Sequence, residues 1–528
     1  MVSLPGPNGL LARLNENEKL LSAYNRATYA VEPDRNITPA SEWILDNFYL
    51  VEEQIQMARR HLPRRYSREL PRLAAGRSAG LPRVYDIVLG FVSHVDAQLD
   101  MEQIASFLSA YQVVTPLKLG ELWAVPIMIR LALIESLRRI TDRLSVARTD
   151  RDAADKWALR LVSTAENQPS QVVMVVADMA KSDLSMTSSF VAEFCQRIAR
   201  SSAPVPLARS WIEQRLAEEH MTIEQLVRAD SQRQAADQVS ISNAITGLRM
   251  LGAWDWRTFV ESASIVDRIL RTDPADVYRQ MDFQTRDAYR HAVEEQARHF
   301  ASGESDIAER AVHLAEQGAR AHGREDRTAH VGYYLLARGR PSLERGLRAH
   351  RPIRVELERA ILRHPTAFYI GGVAILTALI TFAAFLASRN LWHGNGLLAA
   401  LALPAVIAFS QLAVATVNWI STILTDPRLL ARLDYSAGIP PESRTIVVVP
   451  SLVGDIPSVE RLLEAIEIHY LANRDPNLLL ALLTDFTDSH SETEADDEKI
   501  RGRLKAGIEE LNARYAPKES SPFYLFHR

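Results

Sequence analysis

Hydrophobic residues recur at helical spacing through the first two thirds of the chain. Thr38-Pro39 opens one predicted helix, with Thr at the N-cap and Pro in the first turn, where its missing N–H costs nothing. Trp43, Ile44, Phe48, Val51 and Ile55 then follow along one face. Thr222-Ile223-Glu224-Gln225 has the form of a capping box, in which Thr and Gln each satisfy a free backbone N–H. Val172 to Ala177 is rich in β-branched residues, yet Val172, Val176 and Met179 share a helical face, so a helix is predicted there. Leu122–Ile134 is apolar apart from Arg130. It is too short to cross a bilayer and reads as a buried core helix. Asp273-Pro274, Gly303 and Gly323 punctuate the later helices.

The pattern then changes twice. Residues 368–387 carry no charge, and about 20 helical residues span the roughly 30 Å of a bilayer's hydrocarbon core. A second uncharged run, Leu397–Leu424, is longer than a span needs, so it must tilt, kink at Pro404 or extend into the interface. Trp392 and Trp419 stand near span ends, where aromatic belts are expected. Eight arginines lie between Arg338 and Arg363, one in the loop Ser388–Gly396 (Arg389), and Arg428, Arg432 and Arg444 follow the second run. The positive-inside rule then places both flanks in the cytoplasm and the short loop outside. With no signal-peptide pattern at Met1–Ala12, both termini are expected to be cytoplasmic. The arginine-rich stretch before the first span serves either as a topology determinant or as a site for anionic lipid headgroups.

After the spans the period is that of strands. Thr445–Pro450 is a continuous β-branched run, as in a strand buried on both faces. A helix over about Pro457–Asn473, a second apolar strand over Asn477–Thr484, a helix near Lys499–Tyr515 and a third strand at Phe523–Phe526 complete a βαβ pattern, which predicts a parallel sheet. Three such strands make a poor stand-alone domain, so the reading is of a truncated fold. The predicted fold class is mainly α: a helical cytoplasmic region (1–365), a transmembrane hairpin (366–426, spans about 368–387 and 400–422) and the incomplete start of an α/β, Rossmann-like nucleotide-sugar transferase domain (440–528).

Composition narrows the classes. The 528 residues hold 61 Lys+Arg against 65 Asp+Glu, a formal charge of −4, which argues against a basic nucleic-acid binder. At 47 % hydrophobic residues the chain is not a disordered acidic protein. The single cysteine, Cys195, excludes a disulfide scaffold and a multi-cysteine metal site, and reads as a buried thiol.

In open parallel sheets ligands bind beyond the carboxyl ends of the strands. There stand Ser451, after the first strand, and Asp485 and Asp488, after the second; a carboxylate or hydroxyl at such a place can bond a nucleotide base or ribose, although turn and cap roles are the blander alternative. Metal-dependent glycosyl transfer adds an Asp-x-Asp that holds a diphosphate through a cation. The literal match, Asp150-Arg151-Asp152, lies in the polar helical region and is read as chance; Asp496-Asp497-Glu498 precedes a helix and complements its dipole. No Gln-x-x-Arg-Trp, His-Glu-x-x-His, phosphate-binding P-loop or Gly-x-Ser-x-Gly occurs, so no catalytic residue is assigned. Two spans without intramembrane charge offer no ion pathway.

Several long strings in order make the chain resemble the N-terminal part of bacterial cyclic β-1,2-glucan synthases. They are Asn36–Asn47, Gly120–Ala124, Ser210–Arg215, Gln234–Ser240, Met281–Asp287 with Tyr289-Arg290-His291, Ala329–Tyr334, Gly438–Arg444 and Leu482–Asp488. The resemblance implies an inner-membrane glycosyltransferase that polymerises glucose from UDP-glucose, with a cytoplasmic transferase domain and a phosphorylase-like domain far downstream. It implies that Ser451, Asp485 and Asp488 contact uridine, and that a divalent cation, Mg or Mn, serves the complete enzyme without being bound by this chain. It also implies that the chain is inactive alone unless the remainder of the synthase completes it as a separate polypeptide. The alternative is a non-enzymatic, membrane-anchored helical scaffold or regulator of a glucan synthase.

Overall fold

In the computed structural model the described residues are 9–30, 37–62, 70–76, 78–182, 184–201, 206–300, 302–345, 361, 364–388, 395–424, 430–489, 491, 494–515 and 521–528. Trp392, Arg389, Arg428 and the arginines Arg348, Arg351, Arg354, Arg359 and Arg363 lie outside them. The chain divides into two compact units, residues 1–272 with 290–310, and residues 273–289 with 311–528.

The first unit is built around one helix, Leu119–Asn167. Its apolar start, Leu122–Ile134, is buried as its pattern predicts, and the helix runs on through Pro126. Helices Gly9–Tyr29, Arg83–His94 and Ile223–Met250 pack around it. Its distal half, through Ala154, Ala158 and Leu161, forms a second core with Met179, Phe190, Phe194, Ile212 and Leu216. Both expected caps form: Thr38 accepts from the Ser41 N–H, and Thr222 and Gln225 bond reciprocally. Val172–Lys181 is helical, burying Val175, Val176 and Met179. Cys195 is half-buried, and burial pushes its thiol pKa up. Asp150 is occupied as an acceptor for Thr187 Oγ1 at 2.8 Å, consistent with a structural role.

Hydropathy alone does not announce the buried charges of this unit. Arg83 Nε and Nη2 grip the Glu121 carboxylate at 2.7 and 2.6 Å. Burial pushes Glu135 up, but bonds from Arg13 and Asn17 and the charge of Arg138 hold its pKa down to about 2. Glu304 behaves oppositely. Burial raises it to about 7 against a bond from the Leu119 N–H at 2.9 Å. Its folded pKa lies above its ordinary 4.5, so the native state binds the proton more tightly. The stability of this unit should therefore fall as pH rises from 4.5 through about 7. Glu304→Gln keeps an acceptor for Leu119 and should flatten that segment of a pH-dependent melting curve; an unchanged slope would remove Glu304 as its cause.

In the second unit, helices Pro365–Ser388 and Asn395–Leu424 form an apolar hairpin. Both are long and apolar enough to cross a membrane, over Pro365–Ala387 and Leu403–Ile423, and only 6 % of each window is buried by protein. Tyr369 donates to Asn418 Oδ1 at 2.8 Å across the pair. The second helix is continuous through Pro404.

Strands β1 (Thr445–Val453), β2 (Leu478–Phe486) and β3 (Phe523–His527) form a parallel sheet in the order β1-β2-β3. Helices Ile456–Ala472 and Asp497–Tyr515 cover one face, where Val453, Leu480, Leu482 and Phe523 are buried with Leu463 and Leu504. Gly507 sets their approach, since a Cβ there would lie 2.2 Å from Leu463 Cδ1. The expectation that the first strand is buried on both faces is corrected. β1 is an edge, and Ile446, Val447 and Val448 are each more than 40 % exposed. The β-branched run marks an apolar strand, but burial depends on a neighbour, and the opposite face carries Ile446, Val448, Leu452, Leu483 and Phe526 in the open.

Candidate functional site

The carboxyl end of the sheet is built by local rules. β1 runs three residues beyond Pro450 to Val453 and turns at Gly454, where a Cβ would press on Thr487 Oγ1 at 3.1 Å. Asp455 then caps the next helix by accepting from the Ser458 N–H at 2.8 Å, and its bonds to Ser458 hold its carboxyl below the ordinary range. At the other end Asp475 accepts from the Ile439 and Asn477 N–H groups at 2.7 and 2.8 Å, tying the entries of β1 and β2 together.

Ser451, Asp485 and Asp488 all lie at this carboxyl end, but not as a single cluster. Ser451 lies opposite Thr484, and Leu452 opposite Asp485. Successive strand residues point to opposite faces, so Ser451 belongs to the helix-covered row with Thr484 and His527, while Asp485 belongs to the open row with Leu452. Thr484 Oγ1 and His527 Nδ1 meet at 2.9 Å in the covered row. Asp485 is half-buried and accepts from the Phe486 N–H at 3.0 Å; Asp488 is exposed two residues past β2. β1 and β2 extend three and two residues beyond Pro450 and Thr484, which places Ser451 inside β1 rather than at its end. Among the described residues no three His, Cys, Asp or Glu side chains converge as metal ligands.

A second polar cluster joins segments far apart in sequence. Asp273 Oδ2 meets His330 Nδ1 at 2.6 Å, and His330 Nε2 meets the Tyr289 hydroxyl at 2.9 Å. Asp273 also accepts from the Val331 N–H at 3.0 Å, which fixes the carboxylate on the backbone beside the imidazole. Burial, reinforced by the Asp273 charge, pushes Tyr289 up to about 12, so it is a neutral hydroxyl near neutral pH. Gly332 is required beside it, because a Cβ would lie 2.3 Å from the Tyr289 oxygen. Tyr289 and His330 come from two of the strings that carry the family resemblance, and the structure brings those strings together. Sequence reading treated Asp273 only as punctuation.

A helical body, two apolar helices and a three-stranded parallel sheet define a mainly helical protein of membrane type that carries the opening strands of a Rossmann-like domain. Along its whole length the chain is homologous to the N-terminal portion of a cyclic β-glucan synthase, that of Rhizobium meliloti (strain 1021), named cyclic beta-(1,2)-glucan synthase NdvB. The two are 34 % identical over 536 aligned residues, covering all of this chain and 18 % of that protein. No protein-family model matches.

Proposed function

We propose that this chain serves as the N-terminal portion of a membrane-bound cyclic β-1,2-glucan synthase that polymerises glucose from UDP-glucose. The observation that carries this reading is the identity of 34 % along the whole chain, extending from the helical region through the sheet. The helical units hold the protein at the inner membrane, the hairpin anchors it, and β1–β3 begin the donor-binding domain. Both soluble flanks face the cytoplasm, where the donor is. Asp485 and Asp488 contact the uridine from the open side of the sheet, and Ser451 supports the covered row beneath. The divalent cation, Mg or Mn, neutralises the departing diphosphate in the complete synthase. In this reading transfer belongs to the complete synthase, of which this chain matches 18 %, and this chain by itself makes no polymer.

One observation favours a second reading, a scaffold that works by binding a synthase. The bare sheet face, with Leu452 66 % exposed and Phe526 48 % exposed, calls for an apolar cover. Exchanging the matching portion of the Rhizobium meliloti synthase for this chain separates the two. Membranes carrying the exchange should incorporate labelled UDP-glucose into polymer, and membranes carrying this chain alone should not. An exchange protein that inserts but makes no polymer, alongside co-purification of this chain with an intact synthase, would favour the scaffold.

A further inference from the structure

The segment that follows the hairpin returns to the helical part of the second unit. Met281 and Leu433 form an antiparallel bridge, flanked by Asp282 N–H to Arg432 carbonyl at 2.9 Å and Asp434 N–H to Gln280 carbonyl at 2.7 Å. The Arg432 N–H also donates to Thr285 Oγ1 at 3.0 Å. This junction closes one wall of an open cavity of about 780 Å³. Tyr289, His330 and Tyr333 line it with three guanidiniums, Arg327, Arg338 and Arg432. Arg338 and Arg432 are exposed, and among the described residues neither has a carboxylate partner; Arg327 lies over the Tyr333 ring at 5.9 Å. The one lining carboxylate, Asp282, is engaged by the Thr285 N–H at 2.8 Å. Apart from Gln284 and Thr285 the remaining lining is apolar, with Leu336 53 % and Leu430 85 % exposed.

Unpaired cations beside exposed leucines fit a ligand that is anionic at one end and apolar at the other. Leu430 is six residues past the end of the second apolar helix at Leu424, so the cavity lies at most about 22 Å along the chain from that end. We propose that this cavity binds the phosphate headgroup of an anionic phospholipid, with acyl chain along Leu336 and Leu430. The three guanidiniums bond the phosphate oxygens, and the Tyr289 hydroxyl, donating to His330 when His330 donates to Asp273, keeps lone pairs free to accept from a headgroup hydroxyl. The site thereby couples the hairpin's lipid surroundings to the junction between the post-span segment and Met281–Asp282. This proposal rests on the membrane reading of the hairpin, which alkaline extraction of membranes tests separately.

The test uses the full chain in detergent, titrated with short-chain phosphatidylglycerol, short-chain phosphatidylcholine, inorganic phosphate or a glucose oligomer, and followed by thermal shift. Saturable stabilisation by phosphatidylglycerol alone is expected. Arg338→Ala with Arg432→Ala should weaken it roughly thirtyfold, from about 1 kcal/mol per arginine, while Arg324→Ala, which changes an exposed arginine outside the cavity, should not. Equal stabilisation by inorganic phosphate would reduce the site to a free-anion site and overturn the lipid assignment. So would preference for the glucose oligomer, absence of any shift, or a phosphatidylglycerol shift that survives the double substitution. Failure of alkaline extraction to retain the chain would overturn the membrane reading as well, whereas retention with no lipid effect would overturn only this site.

Discussion

Arg290→Met should cost the first unit about 3 kcal/mol, the lower end of what removing one partner from a buried ion pair costs. Arg290 is fully buried, and its Nη1 donates to Glu261 at 2.9 Å and to Asp267 at 2.8 Å. Methionine fills similar volume, so the loss is chiefly electrostatic: two carboxylates stay in low dielectric with a weakened counter-charge. Arg271, bonded to Asp267 at 2.5 Å but 38 % exposed, keeps the cost from the top of the range. Adding Asp267→Asn should recover part of the loss, because the two changes share one network. Chemical denaturation read by hydrogen exchange in helix Ile265–Leu270 measures both. Equal midpoints for wild type and Arg290→Met would show that the pair contributes no net stability.

Gly318→Ala should destabilise the second unit, although glycine to alanine inside a helix ordinarily gains about 1 kcal/mol. A Cβ at Gly318 would lie 2.1 Å from the Thr328 carbonyl oxygen and 2.6 Å from its carbon. Backbone, not a flexible side chain, stands in the way. Thr328 cannot retreat freely, since its N–H and hydroxyl both bond Asp326, at 2.8 and 2.6 Å. Overpacking costs about 1–3 kcal/mol, and with backbone in the way the upper part of that range is expected, which the intrinsic gain only partly offsets. His330 lies two residues on, so displacement of this turn should also break its bond to Tyr289 and reduce polymer output in the exchange protein. Gly502→Ala is the contrast: nothing lies within 4 Å, and the helix Asp497–Tyr515 should be stabilised by about 0.5–1 kcal/mol. A rise in melting temperature with Gly318→Ala would contradict the close packing at Thr328.

Local signals were the most legible part of the sequence. Thr38 and Thr222 cap as their motifs dictate, because a cap depends on residues within four positions. The uncharged runs and the strand–helix–strand order were equally plain, being sums over many residues. The site was less legible. A one-residue difference along a strand reverses the face, so Ser451 and Asp485 read alike in sequence yet belong to opposite rows. Asp273 and His330 are 57 residues apart, and nothing short of the fold pairs them. Glu135 and Arg290 look like ordinary surface charges but are buried, since the partners that permit burial come from other helices; Arg130, inside the run read as a buried helix, likewise bonds Gln54 of another helix at 2.8 Å.

The central claim is that β1–β3 open the donor-binding domain of a glucan synthase. Its most direct test is the Michaelis constant for UDP-glucose in the exchange protein carrying Asp485→Asn. Lost uniform binding raises KM and leaves kcat, so an increase of roughly tenfold or more, at about 1.5–3 kcal/mol for a bond to a charged group, is expected with turnover largely kept. Unchanged KM and kcat in an active exchange protein would contradict the account.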